Sequence, residues 1–168
     1  MITTKKIVNL SLLLTVTLII SYVESLIPFG FGIPGIKLGL ANLAVLLCLY
    51  CLGTKEAIIL NIMRILLAGF LFGNLYSIIY SLAGALLSFL VMWIGKKINI
   101  LTICGVSVLG GVSHNLGQIL IAAFVVETVG VFYYIPYLLQ AGVITGWMIG
   151  FITKLLIPYF EKIERKLG

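Results

Sequence analysis

The chain has 168 residues, 62% of them hydrophobic and 10% charged, with a mean hydropathy of +1.25. Soluble domains carry about 25% charged residues, so a soluble enzyme or regulatory domain is excluded. The formal charge of +6 needs no nucleic acid, because basic residues facing anionic lipid account for it.

A single all-α integral membrane domain over residues 1–168 is expected, since a membrane barrel alternates polar and apolar residues and these runs are apolar on every side. Six spanning helices are predicted, at about residues 6 to 28, 37 to 53, 55 to 72, 75 to 95, 101 to 126 and 131 to 159. Their short loops make neighbours antiparallel. The first begins behind Lys5 and Lys6. It has no small-x-small cleavage site, and Glu24 and Pro28 end it, so it is expected to be retained. Pro28, Gly30, Gly32, Pro34 and Gly35 then form a turning loop that re-enters at Lys37. Asn42 lies five residues further, about 7.5 Å deeper. A lysine there reaches for headgroup phosphate or water, or closes a pocket.

In the third span Arg64 lies ten residues past Thr54, about 15 Å deep, near the middle of a hydrocarbon layer about 30 Å thick. Intramembrane charges mark functional sites by default. Its candidate partners are Glu24, Glu127, backbone carbonyls or an anionic ligand; an Arg64–Glu24 pair that only orders the bundle is the plainer alternative. The fourth span places Ser77, Ser81 and Ser88 on one face with Gly84, residues common in close packing. On the fifth, Ser107, Gly111, His114 and Gln118 follow i, i+4, i+7, i+11, with Asn115 beside them. So many polar groups line a pocket or glue helices together. The sixth opens with Tyr133, Tyr134, Pro136, Tyr137 and Gln140, as interfacial anchors or a pocket cap.

Orientation follows from the basic residues. Lys5, Lys6, Lys55, Lys96, Lys97, Lys154, Lys162, Arg165 and Lys166 fall on one side, which places both termini in the cytoplasm and the chain in the cytoplasmic membrane. An outward cavity is then expected, bound by Glu24, Lys37, Asn42, Arg64, Ser81, His114, Asn115, Gln118, Tyr137 and Gln140. Such a lining suits an anionic or strongly polar small molecule. Cys48, Cys51 and Cys104 lie towards the cytoplasmic ends. The only histidine is about 15 Å away, so no tetrahedral metal site is expected and the thiols read as packing residues.

Linked motifs then carry a family resemblance: Glu24, Pro28, PG-x-KLGLAN from Pro34 to Asn42, Arg64, SLAG from Ser81 to Gly84, Ser88, Met92, HN-x-GQ from His114 to Gln118, Pro136, Gly142 and Gly146. In this order they resemble the Gx transporter family, often labelled heptaprenyl diphosphate synthase component I, over nearly the whole chain. The family is similar to the substrate-binding S components of energy-coupling factor (ECF) transporters. The resemblance implies six helices, both termini inside and a pocket beneath the first loop. It also implies an ECF-type coupling subunit with ATPases, or a dedicated membrane or extracellular redox partner. Where such subunits commonly present alanines four apart on the first helix, Ser11, Thr15, Thr17 and Ser21 stand here as the docking set. The synthase label fits poorly with the residues, because magnesium diphosphate wants clustered carboxylates and all five acidic residues are isolated or tail glutamates. With no P-loop motif either, no enzymatic activity is expected. The expected role is a solute-binding transporter subunit; the alternative is a non-catalytic membrane subunit of an isoprenoid, quinone or flavin-linked extracellular redox system. Neither a ligand nor a cofactor is identified by sequence.

Overall fold

The computed structural model describes residues 4–26 and 39–166, excluding the side chains of residues 5 and 164–166. Among them the chain is all-helical: α1 (Thr4–Leu26), α2 (Asn42–Cys51), α3 (Thr54–Phe72), α4 (Leu75–Ile98), α5 (Ile103–Val126), a 3₁₀ segment (Val129–Tyr134) and α6 (Ile135–Lys166). Four stretches are long and apolar enough to cross a membrane, Lys6–Leu26, Leu75–Ile98, Ile103–Val126 and Val129–Ile163, so this is a multi-pass membrane protein. The other two helices differ from expectation for separate reasons. Along α3, Lys55, Glu56, Asn61 and Arg64 interrupt the apolar run. The second predicted span shrinks to the 10 residues of α2, about 15 Å long, because Gly39 takes a left-handed backbone with φ +78° and the helix starts only at Asn42.

The short α2 is the centre of the fold. It is apolar on every face because every face is covered: Val45, Leu46, Cys48 and Leu49 are fully buried, packed with Leu60, Met92, Val106 and Ile149 from four other helices. It contacts α1, α3, α4 and α6. Its C-terminal turn lacks a helical partner for Leu49 O, and Lys96 Nζ donates to that carbonyl at 2.6 Å from α4, with its ammonium 4.9 Å from the Tyr50 ring. Lys96→Met is therefore expected to cost about 1–3 kcal/mol by orphaning a buried acceptor. Thermal unfolding in detergent should show that loss, whereas Lys97→Met, which gives up only a contact over Trp93, should move the midpoint far less.

Helix α5 lies between α4 and α6, and glycines bring all three backbones close. A Cβ on Gly117 would stand 2.7 Å from Ala83 O, and one on Gly146 would stand 2.8 Å from Ser107 O. Helix starts are capped where the sequence offers side-chain acceptors: Asn74 Oδ1 accepts from Ser77 N at 2.8 Å and Thr102 Oγ1 from Gly105 N at 3.2 Å. Helix α6 runs on through Pro158 into the charged tail.

The outermost helix, α1, packs on α3 and α2, and Lys6 Nζ pairs with Glu56 Oε1 at 2.6 Å. Its inward face is Asn9, Leu13, Thr17, Ser21 and Glu24, all buried. Of the four residues expected to dock a partner, two are covered by the chain itself. Thr17 and Ser21 lie on the helical stripe that faces the chain's own interior, and Thr17 Oγ1 is already donated to Leu13 O at 2.6 Å. Ser11 and Thr15 are exposed. None of the three cysteines is in a disulfide.

Candidate functional site

Three motifs separated in sequence meet at one histidine. Gly39 precedes α2, Gly84 lies on α4 and His114 on α5. The buried imidazole fits because both glycines lack a side chain: a Cβ on Gly39 would stand 3.3 Å from His114 Cδ2, and one on Gly84 would stand 3.1 Å from His114 Cε1. The left-handed backbone at residue 39 favours glycine independently. Gly39→Ala is expected to lose about 1–2 kcal/mol of stability from backbone strain alone. The check is its unfolding midpoint beside Gly105→Ala, where a Cβ makes only ordinary contacts.

A hydrogen-bonded chain runs from this turn across four helices. Gly39 N donates to Glu24 Oε1 on α1 at 2.6 Å. Asn42, at the start of α2, accepts on Oδ1 from Arg64 Nη2 at 2.8 Å. Arg64 Nε donates to Asn61 Oδ1 at 3.1 Å within α3, and Asn61 Nδ2 donates to Ala85 O of α4 at 3.4 Å. Arg64 and Glu24 are 7% and 6% exposed, so both charges sit inside the bundle, where unpaired ions are costly. Arg64 thus leans on two asparagine carboxamides, and Glu24 supplies the opposite charge nearby. Glu127, the other carboxylate considered for it, is exposed at the C-terminal end of α5.

These groups surround a cavity lined by Ser21, Glu24, Gly39, Arg64, Ser81 and His114 among others, with Ile65 and Ala68 on its apolar side. Its free volume is about 10 Å³, room for about one water. Chemically it offers a cation, a carboxylate, an imidazole and hydroxyls, a set able to hold a compact polar group.

Of the expected site residues, Glu24, Arg64, Ser81 and His114 converge here and Asn42 buttresses Arg64. Lys37 lies outside the described residues. Asn115 is turned to α6, donating to Leu138 O at 2.7 Å. Gln118 is fully buried behind Gly84, with neither amide atom hydrogen-bonded among the described residues. Tyr137 and Gln140 are exposed, because α6 turns Leu138, Gly142, Gly146, Ile149 and Thr153 inward and these two fall between. They do not cap the cavity. Gly111 leaves the expected polar stripe for a packing role against Gly142. The reading by sequence missed Asn61, whose i, i+3 spacing to Arg64 was the available signal, and it assigned Ser21 to docking and Ser77 to packing although both line the cavity.

A family model described as heptaprenyl diphosphate synthase component I matches residues 13–156. The chain belongs to that family, whose description names one component of a larger system. No curated protein and no solved structure matches the chain.

Proposed function

We propose that this member of the heptaprenyl diphosphate synthase component I family is the membrane-embedded solute-binding subunit of a transporter, similar to ECF S components. The observation that carries the reading is the convergence of Glu24, Arg64 and His114 from three helices on one cavity inside an apolar bundle. Intramembrane ionisable groups are rare and mark ligand or ion pathways. In this reading α3 and the segment that contains the half-length α2 complete six spans, the basic residues hold both termini in the cytoplasm, and the cavity is filled from outside. Arg64 takes the anionic group of the solute, Glu24 takes a donor, and His114 fixes orientation. A cavity for about one water is the closed state of such a site, and entry of a solute requires the helices around it to part.

The role is non-catalytic. Diphosphate chemistry with magnesium needs several carboxylate oxygens on one ion, and this chain has no aspartate. Energy comes from partner ATPases, for which the exposed Ser11 and Thr15 of α1 offer a close-packing surface. The second reading, a non-catalytic subunit of an isoprenoid, quinone or flavin-linked redox system, is favoured by the small cavity and by the pairing of Arg64 with Asn42 and Asn61.

A thermal-shift experiment separates them. A polar extract of the expressing cells should raise the unfolding midpoint of the wild type, since a ligand at 100 times its Kd adds about 2.7 kcal/mol, and should leave His114→Ala unmoved. Equal behaviour of both proteins with every fraction would favour the assembly subunit.

A further inference from the structure

A second cavity of about 10 Å³ lies beyond the Gly39–Asn42 turn, lined by Gly39, Asn42, Met92, Ser107, Gly110 and Thr145 among others. Gly39 belongs to both linings. The wall between the cavities therefore includes a residue with no side chain. Around the second cavity the described residues carry no ionisable group. Ser88, 1% exposed, lies beside one of its lining residues: Oγ would be 3.3 Å from a Cβ on Gly110 and has no hydrogen-bond partner among the described residues. A buried hydroxyl in that condition costs about 1–3 kcal/mol and marks a place where water or a ligand completes the bonding. Thr145 Oγ1 donates to Ala141 O at 2.8 Å, which leaves its oxygen free to accept.

We infer that the two cavities are halves of one chamber, parted at Gly39, and that the second half takes the uncharged polar end of a solute whose charged end lies between Glu24 and Arg64. This rests on the solute-binding reading. The coupling is chemical. Gly39 N–H is held by Glu24 Oε1, so a solute donor that competes for this carboxylate releases the turn. Glycine crosses between left- and right-handed backbone without a Cβ penalty, and rotation at this residue opens one half to the other. The substrate class is a small molecule with a zwitterionic or anionic head and a neutral body bearing hydroxyl or carbonyl groups, with Ser88, Ser107 and Thr145 as its further contacts.

The test is thiol accessibility in a Cys48→Ala/Cys51→Ala/Cys104→Ala background. Ser81→Cys reports the first half and Thr145→Cys the second, each treated from outside with the neutral, polar reagent 2-hydroxyethyl methanethiosulfonate and followed by intact mass. Both positions should react, and adding Gly39→Val should slow the Thr145→Cys reaction at least fivefold while changing the Ser81→Cys rate less than twofold. Gly39→Ala serves if the valine variant is not monodisperse. Reaction at Ser81→Cys with none at Thr145→Cys, or a Thr145→Cys rate indifferent to residue 39, would overturn the shared chamber and leave the solute-binding reading standing. No reaction at either position would remove both.

Discussion

Gly142→Leu is expected to lower stability by about 3 kcal/mol or more, at or beyond the usual range for overpacking. Ordinary overpacking is relieved by neighbouring side chains that change rotamer. Here the neighbours are main chain: a Cβ on Gly142 would already lie 2.9 Å from Gly111 O and 3.0 Å from Val112 Cα. Nothing in α5 can yield except by moving the whole helix. Because Gly117 and Gly84 hold α5 equally close to α4 on its other side, that movement would disturb the His114 pocket as well. Thermal unfolding in detergent should show the loss, and Val143→Leu, on the exposed face one residue away, should stay within about 0.5 kcal/mol of wild type. Similar midpoints for the two variants would contradict the close α5–α6 contact.

Arg64→Ala is expected to cost about 3–5 kcal/mol, the range for removing one partner from a buried ionic network. The variant leaves the acceptors of Asn42 and Asn61 without their guanidinium donors and removes the cation that stands near the buried Glu24 carboxylate. The loss should be strongly non-additive. In Glu24→Gln/Arg64→Met the glutamine keeps an acceptor for Gly39 N–H, the methionine keeps much of the arginine stem's volume, and neither position carries a charge to desolvate. That double variant should recover at least about 2 kcal/mol over Arg64→Ala, as replaced buried pairs often do. A double-mutant cycle on the unfolding midpoints measures the coupling. Simple addition of the two single losses would show that Glu24 and Arg64 do not share one environment.

Much of this arrangement was legible from residue patterns, and the exceptions have physical causes. Apolar runs bounded by charge, glycine and proline mark helices well, and α3, α4 and α5 fall within three residues of their predicted limits. The same signal overextended the second helix, because hydropathy does not register that Gly39 adopts φ +78°. Helix α6 was undershot at its C-terminal end, where the apolar run gives way to the charged tail although the helix continues to Lys166, and its first four predicted residues belong to the 3₁₀ segment. At the site, the burial of Arg64 and His114 followed from depth and spacing. What spacing could not supply was the rotation of each helix about its own axis. Tyr137 and Gln140 stand on the first turns of α6 yet are exposed, and Thr17 and Ser21 share a stripe with Glu24 and point in. Nor could it show that Gly39 and Gly84 matter as empty space, the feature that lets three distant motifs close on one imidazole.

Under the proposed function this polar cluster is kept for a solute and not for the fold. Native mass spectrometry of the wild type beside Glu24→Gln/Arg64→Met tests it most directly. A solute-binding subunit is expected to carry the added mass of a small polar molecule as wild type, and the double variant to be folded and bare at the 18.3 kDa of the chain. A bare wild type together with a double variant that no longer folds would contradict it, and would make Glu24 and Arg64 the ordering pair of an assembly subunit.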